Sequence, residues 1–284
     1  DFGLINELKK ENKLPEMAIV INGIDMKKKK HSYYYGYGNK YGYGKRYGYG
    51  YGYGYGYYGF DWTYLLLIIG MLLSLAASAK LKSTFARYKR VRSASGLTGE
   101  EAARRILYSA GITDVQVRPV AGSLTDHYDP RTKTVNLSQD IYGQTSLAAV
   151  GVAAHECGHA IQHNVGYIPI KIRSAIVPVV NLGSKLSWPI IILGVILGSF
   201  NMLNIGILLF ALTLVFQIVT LPVEFNASSR ALKILDKSGM LYKDEVRGAR
   251  KVLTAAAMTY ITATVSTLLQ LLRLILLFGR RDDD

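Results

Sequence analysis

Long uncharged apolar blocks limit this chain more than any other feature. Trp62–Ala79 and Trp188–Leu221 carry no charge at all, and Val252–Phe278 is broken only by Arg273. A helix of about 20 apolar residues crosses the hydrocarbon of a bilayer. The block from Trp188 is too long for one such helix and is expected to turn at "NMLN" (Asn201–Asn204) into two. The spans are then expected at about 62–79, 188–200, 204–221 and 252–278. One such block could be a buried helix of a soluble protein, but four, mostly flanked by basic clusters, could not. The expected class is a mainly α membrane protein with about four transmembrane helices. The remaining segments, about 80–186 and 222–251, should form a small α+β lobe.

The basic residues give an orientation. Lys80, Lys82, Arg87, Lys89, Arg90 and Arg92 follow the first span, and a second group from Arg230 to Lys251 follows the third. Positive charge close to span ends marks the cytoplasmic side, so the lobe is expected to face the cytoplasm from the plasma membrane. The net charge of +14 is mostly accounted for in this way and not by nucleic-acid binding. The single cysteine, Cys157, excludes an internal disulfide.

The segment ahead of Gly59 is of another kind. Tyr33–Tyr58 alternates tyrosine with glycine, so that half of its positions are tyrosine, and it follows four lysines, Lys27–Lys30. Such a repeat offers no varied apolar set for a core, and a disordered tail is expected over 1–58. It resembles the tyrosine-rich C-terminal tail of bacterial capsular-polysaccharide tyrosine kinases. No G-x-x-x-x-G-K-[ST] phosphate loop occurs, so kinase activity is not expected of this chain. Beginning at Asp1 without an initiator methionine, the sequence has the form of a fragment or fusion.

Within the lobe, "GLTGEEAARRIL" carries Thr98 and Glu101 in capping-box spacing ahead of a helix. "DVQVRPV" alternates as a strand, and "TDHYDPRTKTVNLS" reads as two short strands around Asp129-Pro130. From Ser146 to about His163 the pattern is helical and contains "VAAHECGHAIQH". Helix, small sheet and H-E-x-x-H helix follow one another as in a zincin catalytic lobe, where an edge strand holds an extended substrate.

The motif has a definite chemistry. His155 and His159 lie one helical turn apart, so both imidazoles can reach one zinc ion. Glu156 lies about 100° further around the axis and can reach a water that the metal activates, acting as its base. Gly158 is expected to leave space beside the metal. Cys157 should point to the opposite face and pack. No other charge occurs between Gly143 and Ile170, and a structural helix has little reason to bury two histidines and a glutamate together.

The third ligand must come from elsewhere. His163 follows His159 too closely for the H-E-x-x-H-x-x-G-x-x-H pattern. Glu224, in "LPVEFNASSRAL", emerges after the third span on the side of the motif and is the expected ligand. The alternative for it is an acid stabilised at a helix N-terminus.

From about Gly59 onward, "TFARYKRVRSASGLTGEEAARRIL", "LTDHYDPRTKTVNLS", "VAAHECGHAIQH", "LSWPIIILG" and "TLPVEFNASSRALKIL" resemble the YugP-type neutral zinc metallopeptidases of membranes. More distantly the chain is similar to the HtpX-type proteases. In those, the glutamate ligand opens an E-x-x-A-D string whose aspartate supports a zinc ligand. Here the string is "EFNAS", with Ser228 in the aspartate position and Asn226 or Asp126 as substitutes. The resemblance implies a zinc endopeptidase with His155, His159 and Glu224 on the metal and Glu156 as base. Its partners would be a peptide or protein substrate and the lipid bilayer. His127 and Tyr128, near the edge strand, are candidates for stabilising the oxyanion. The rival reading is a membrane scaffold with structural zinc, which would need four protein ligands where the sequence offers three good ones.

Overall fold

The structure is a computed structural model, and it describes residues 61–279; the expected tail over 1–58 lies outside the described residues. Four helices are long and apolar enough to cross a membrane. They are α1 (Tyr64–Lys89), α4 (Ile168–Leu197), α5 (Phe200–Lys237) and α6 (Lys243–Phe278). Between α1 and α4 lie α2 (Gly99–Ser109), β1 (Gln116–Val120), β2 (His127–Asp129), β3 (Thr134–Ser138) and α3 (Leu147–Asn164), which carries the motif.

The local signals place these elements well. The Thr98 hydroxyl accepts from the Glu101 backbone N–H while Glu101 reaches back to the Thr98 backbone N–H, and α2 begins there. The Ser146 hydroxyl accepts from the Ala149 N–H and opens α3. In the sheet, β3 is central, parallel to β1 and antiparallel to β2, which leaves β2 at an edge. Ile106 of α2, Val135 and Leu137 of β3, Val150 of α3, Leu235 of α5 and Val252 of α6 are fully buried in one core. That core fastens the lobe to the ends of two membrane helices.

The membrane helices pair through small residues. Ser74 of α1 and Ser266 of α6 share a hydrogen bond of 2.9 Å, and the Ser266 hydroxyl also donates to the Gly70 carbonyl at 2.7 Å. A Cβ at Gly70 would lie 3.2 Å from Ser266, so the glycine lets the backbones close. The hairpin between the second and third spans turns at Gly198–Ser199, just ahead of the expected "NMLN". Gly198 takes a left-handed φ of 62°, which ends α4, whereas Asn201 and Asn204 lie inside α5.

Both hairpin helices also outrun the expected spans, starting at Ile168 and ending at Lys237. At about 1.5 Å per residue, α5 is about 57 Å long, nearly twice the ~30 Å hydrocarbon thickness. Its surplus turns, beyond Leu221, run alongside α3 in the lobe.

Candidate metal centre

The approach of α5 to α3 is set by Gly158. A Cβ there would lie 2.7 Å from the Ala227 carbonyl oxygen and 3.2 Å from its Cα. The missing side chain thus makes room for the backbone of α5, not for space beside a metal as expected from sequence. Ala227 is one turn beyond Glu224, so this contact brings the Glu224 carboxylate over the two motif histidines. Cys157 behaves as expected: it is fully buried on the other face, its thiol donates to the Ala103 carbonyl, and burial pushes its pKa up.

Glu224 Oε2 lies 3.3 Å from His155 Nε2 and 3.5 Å from His159 Nε2. One ligand atom from each of the three lies within 4.8 Å of the others. The imidazole rings meet edge to face at 4.7 Å. The neighbours fix the proton positions. The Gln162 amide nitrogen donates to the Val223 carbonyl at 2.8 Å, which can only accept. That fixes the amide, so Gln162 Oε1 accepts from His159 Nδ1 at 3.0 Å. Neutral His159 therefore turns a bare Nε2 lone pair towards a carboxylate. Two acceptors facing each other repel unless a cation lies between them. Glu224 Oε2 has no hydrogen-bond partner although it is buried. These three residues fit a divalent metal.

His159 feels the same field. Burial lowers its pKa, but Glu224 and Glu156 outweigh burial and hold the imidazole above its ordinary value. The site favours positive charge.

Each imidazole is also held from behind. The Ser228 hydroxyl lies 3.1 Å from His155 Nδ1. Ser228 thus fills the supporting position itself, one turn beyond Glu224. Asn226 reaches His159 only through Gln162, whose amide donates to its Oδ1, and Arg230 steadies Asn226 at 2.7 Å. Asp126 supports neither imidazole: it accepts from the backbone N–H and hydroxyl of Ser138, while burial pushes its carboxyl up.

Glu156 is buried and has no hydrogen-bond partner among the described residues; it lines two cavities that share Asp126, His155, Glu224 and Tyr260 with it. The first cavity, about 170 Å³, is walled by apolar groups including Phe85, Leu124, Val152, Leu253 and Ala256. The second, about 280 Å³, is polar and includes His127, Tyr128, His163 and Arg173. His163 is outside the metal group, and its ring packs on Tyr128 at 5.5 Å. His127 is a poor oxyanion donor: its Nδ1–H goes to the Thr125 carbonyl at 2.8 Å, and its Nε2 accepts from Asn136.

Sequence reasoning missed Tyr260 and Arg173. Tyr260 is the one tyrosine in the fourth apolar block and lines both cavities. Arg173, on α4, places Nη1 3.6 Å from Glu224 Oε1. A lone ionisable ring in an apolar block was the available signal for Tyr260. For Arg173 there was none, because its helix was expected to begin later.

Residues 63–279 match the family described as "Putative neutral zinc metallopeptidase". The chain is 46% identical over 219 residues to "Putative membrane protease YugP" of Bacillus subtilis (strain 168), which covers 77% of this chain and 97% of that protein. No solved structure gives a significant match.

Proposed function

The chain belongs to the neutral zinc metallopeptidase family matched over residues 63–279, and we propose that it is a membrane-embedded endopeptidase whose lobe faces the cytoplasm. Zinc is its cofactor. His155, His159 and Glu224 would hold it. Bound zinc supplies a Lewis acid and lowers the pKa of a water to about 7.

The chain's own residues do the rest. A substrate strand pairs with the free edge of β2, which runs beside the polar cavity. Glu156 takes a proton from the attacking water and returns it to the leaving amine. Tyr260, on the wall of both cavities, donates from its hydroxyl to the carbonyl oxygen as negative charge develops there. Because the β2 edge beside the polar cavity is open along its length, a strand can run past the scissile bond, which favours an endopeptidase. The apolar cavity takes one substrate side chain. At about 170 Å³ it compares with the ~150 Å³ apolar cavity that accepts a benzene ring. It would therefore receive a side chain of leucine or phenylalanine size.

The observation that carries this reading is the buried, unpartnered Glu224 oxygen facing two imidazole nitrogens, with a free carboxylate from Glu156 in the same cavity. A structural zinc site would need a fourth protein ligand, and among the described residues only three groups converge. The test compares two variants of the purified protein. Glu156→Gln should abolish peptide cleavage and keep zinc, whereas Glu224→Ala should lose both. Wild-type cleavage by Glu156→Gln would refute the assignment of the base, and full zinc in Glu224→Ala would refute the ligand set.

A further inference from the structure

We propose that the groove between α1 and α6, at the lobe end of the membrane, binds the headgroup of an anionic phospholipid. The two helices run antiparallel in a register fixed by Ser74, Gly70 and Ser266. Continued along the helices, that register sets Lys80 level with Met258, Thr84 with Thr254, and Arg87 with Lys251. All six line one groove of about 480 Å³, together with Arg250.

The chemistry of the groove is one-sided. It contains four cations, Lys80, Arg87, Arg250 and Lys251, and no carboxylate. Among the described residues none of the four has a carboxylate within ion-pair distance, although nearby cations are paired, Lys89 with Asp140 and Arg247 with Asp244. The hydroxyls of Thr84 and Thr254 are also without hydrogen-bond partners among the described residues. Thr259 and Thr262, further along α6, instead donate to carbonyls of their own helix. Four charges and two idle donors converge on a space that suits a phosphodiester.

Its level identifies the source of that phosphate. The uncharged run of α1 ends at Ala79, and that of α6 begins at Val252. The groove therefore straddles the boundary where hydrocarbon gives way to headgroups, a depth from which lysine and arginine reach outward. Met258, 43% exposed at the inner end, offers apolar surface to an acyl chain. A soluble phosphate would leave that surface bare. If these cations served orientation alone, nothing would require them to share one groove with unused hydroxyls.

The test uses the full chain in detergent, with native mass spectrometry and thermal unfolding after addition of phosphatidylglycerol, phosphatidylcholine or inorganic phosphate. Phosphatidylglycerol should bind and raise the melting temperature, and the other two should not. The double variant Arg87→Gln/Lys251→Gln should weaken that binding by about thirtyfold. Lys82→Gln/Arg90→Gln removes the same charge from exposed positions outside the groove, one on α1 and one just past its end, and should bind as the wild type does. Each variant's melting temperature without lipid shows that it is folded. Equal stabilisation by phosphatidylcholine, the full effect with phosphate alone, or equal losses in both double variants would each overturn the proposal.

Discussion

Replacing Gly158 by alanine separates helix propensity from the geometry of the metal centre. In an ordinary helix interior the change stabilises by about 0.5–1 kcal/mol, because glycine loses more backbone entropy on folding. Here the added methyl would sit 2.7 Å from the Ala227 carbonyl oxygen, and that neighbour is backbone. Ordinary contact begins at 3.4 Å, so α5 must retreat by about 0.7 Å, or by about 0.3 Å to reach the tightest spacing that side chains tolerate. Overpacking of this kind costs about 1–3 kcal/mol, which exceeds the propensity gain. The retreat also carries Glu224 away from His155 and His159, and metal–ligand distances hold to within about 0.2 Å. Gly158→Ala is therefore expected to lower both the melting temperature and the zinc affinity, read by thermal unfolding and by titration against a chelator. A variant that melts higher than the wild type and keeps its zinc would refute the claim that this contact sets the site.

Two further outcomes follow from the neighbours of the site. Ser228→Ala removes the group behind His155 and should weaken zinc binding by about 10- to 100-fold, while Ser228→Asp should not, since a carboxylate can hold the same nitrogen; chelator competition measures both. Ala256→Phe fills the apolar cavity from a half-buried position. It should lower kcat/KM on peptides with leucine or phenylalanine beside the cleaved bond by at least about tenfold, with less effect on alanine peptides and none on zinc content.

The sequence alone determined what depends on near neighbours along the chain. The Thr98–Glu101 capping box, the helix start at Ser146 and the one-turn spacing of His155 and His159 are local, and each formed as written. The apolar blocks were equally legible because bilayer thickness demands length and uncharged composition, not a partner. The return of Glu224 to the motif histidines was legible too, since a membrane hairpin returns its second helix to the side it left. Tertiary structure decided which face of each long helix meets the motif. A helix that is apolar around most of its circumference has no polar stripe to orient it, so the sequence could not say that Ser228 stands behind His155 or that Tyr260 looks into the cleft. The same holds for Gly158, whose role depends on the backbone of a helix on the far side of the membrane hairpin in sequence. The turn at Gly198 was misplaced for a related reason. Asparagines attract a turn in water, but inside this hairpin the left-handed glycine and the close packing of α4 on α5 fixed where the chain reversed.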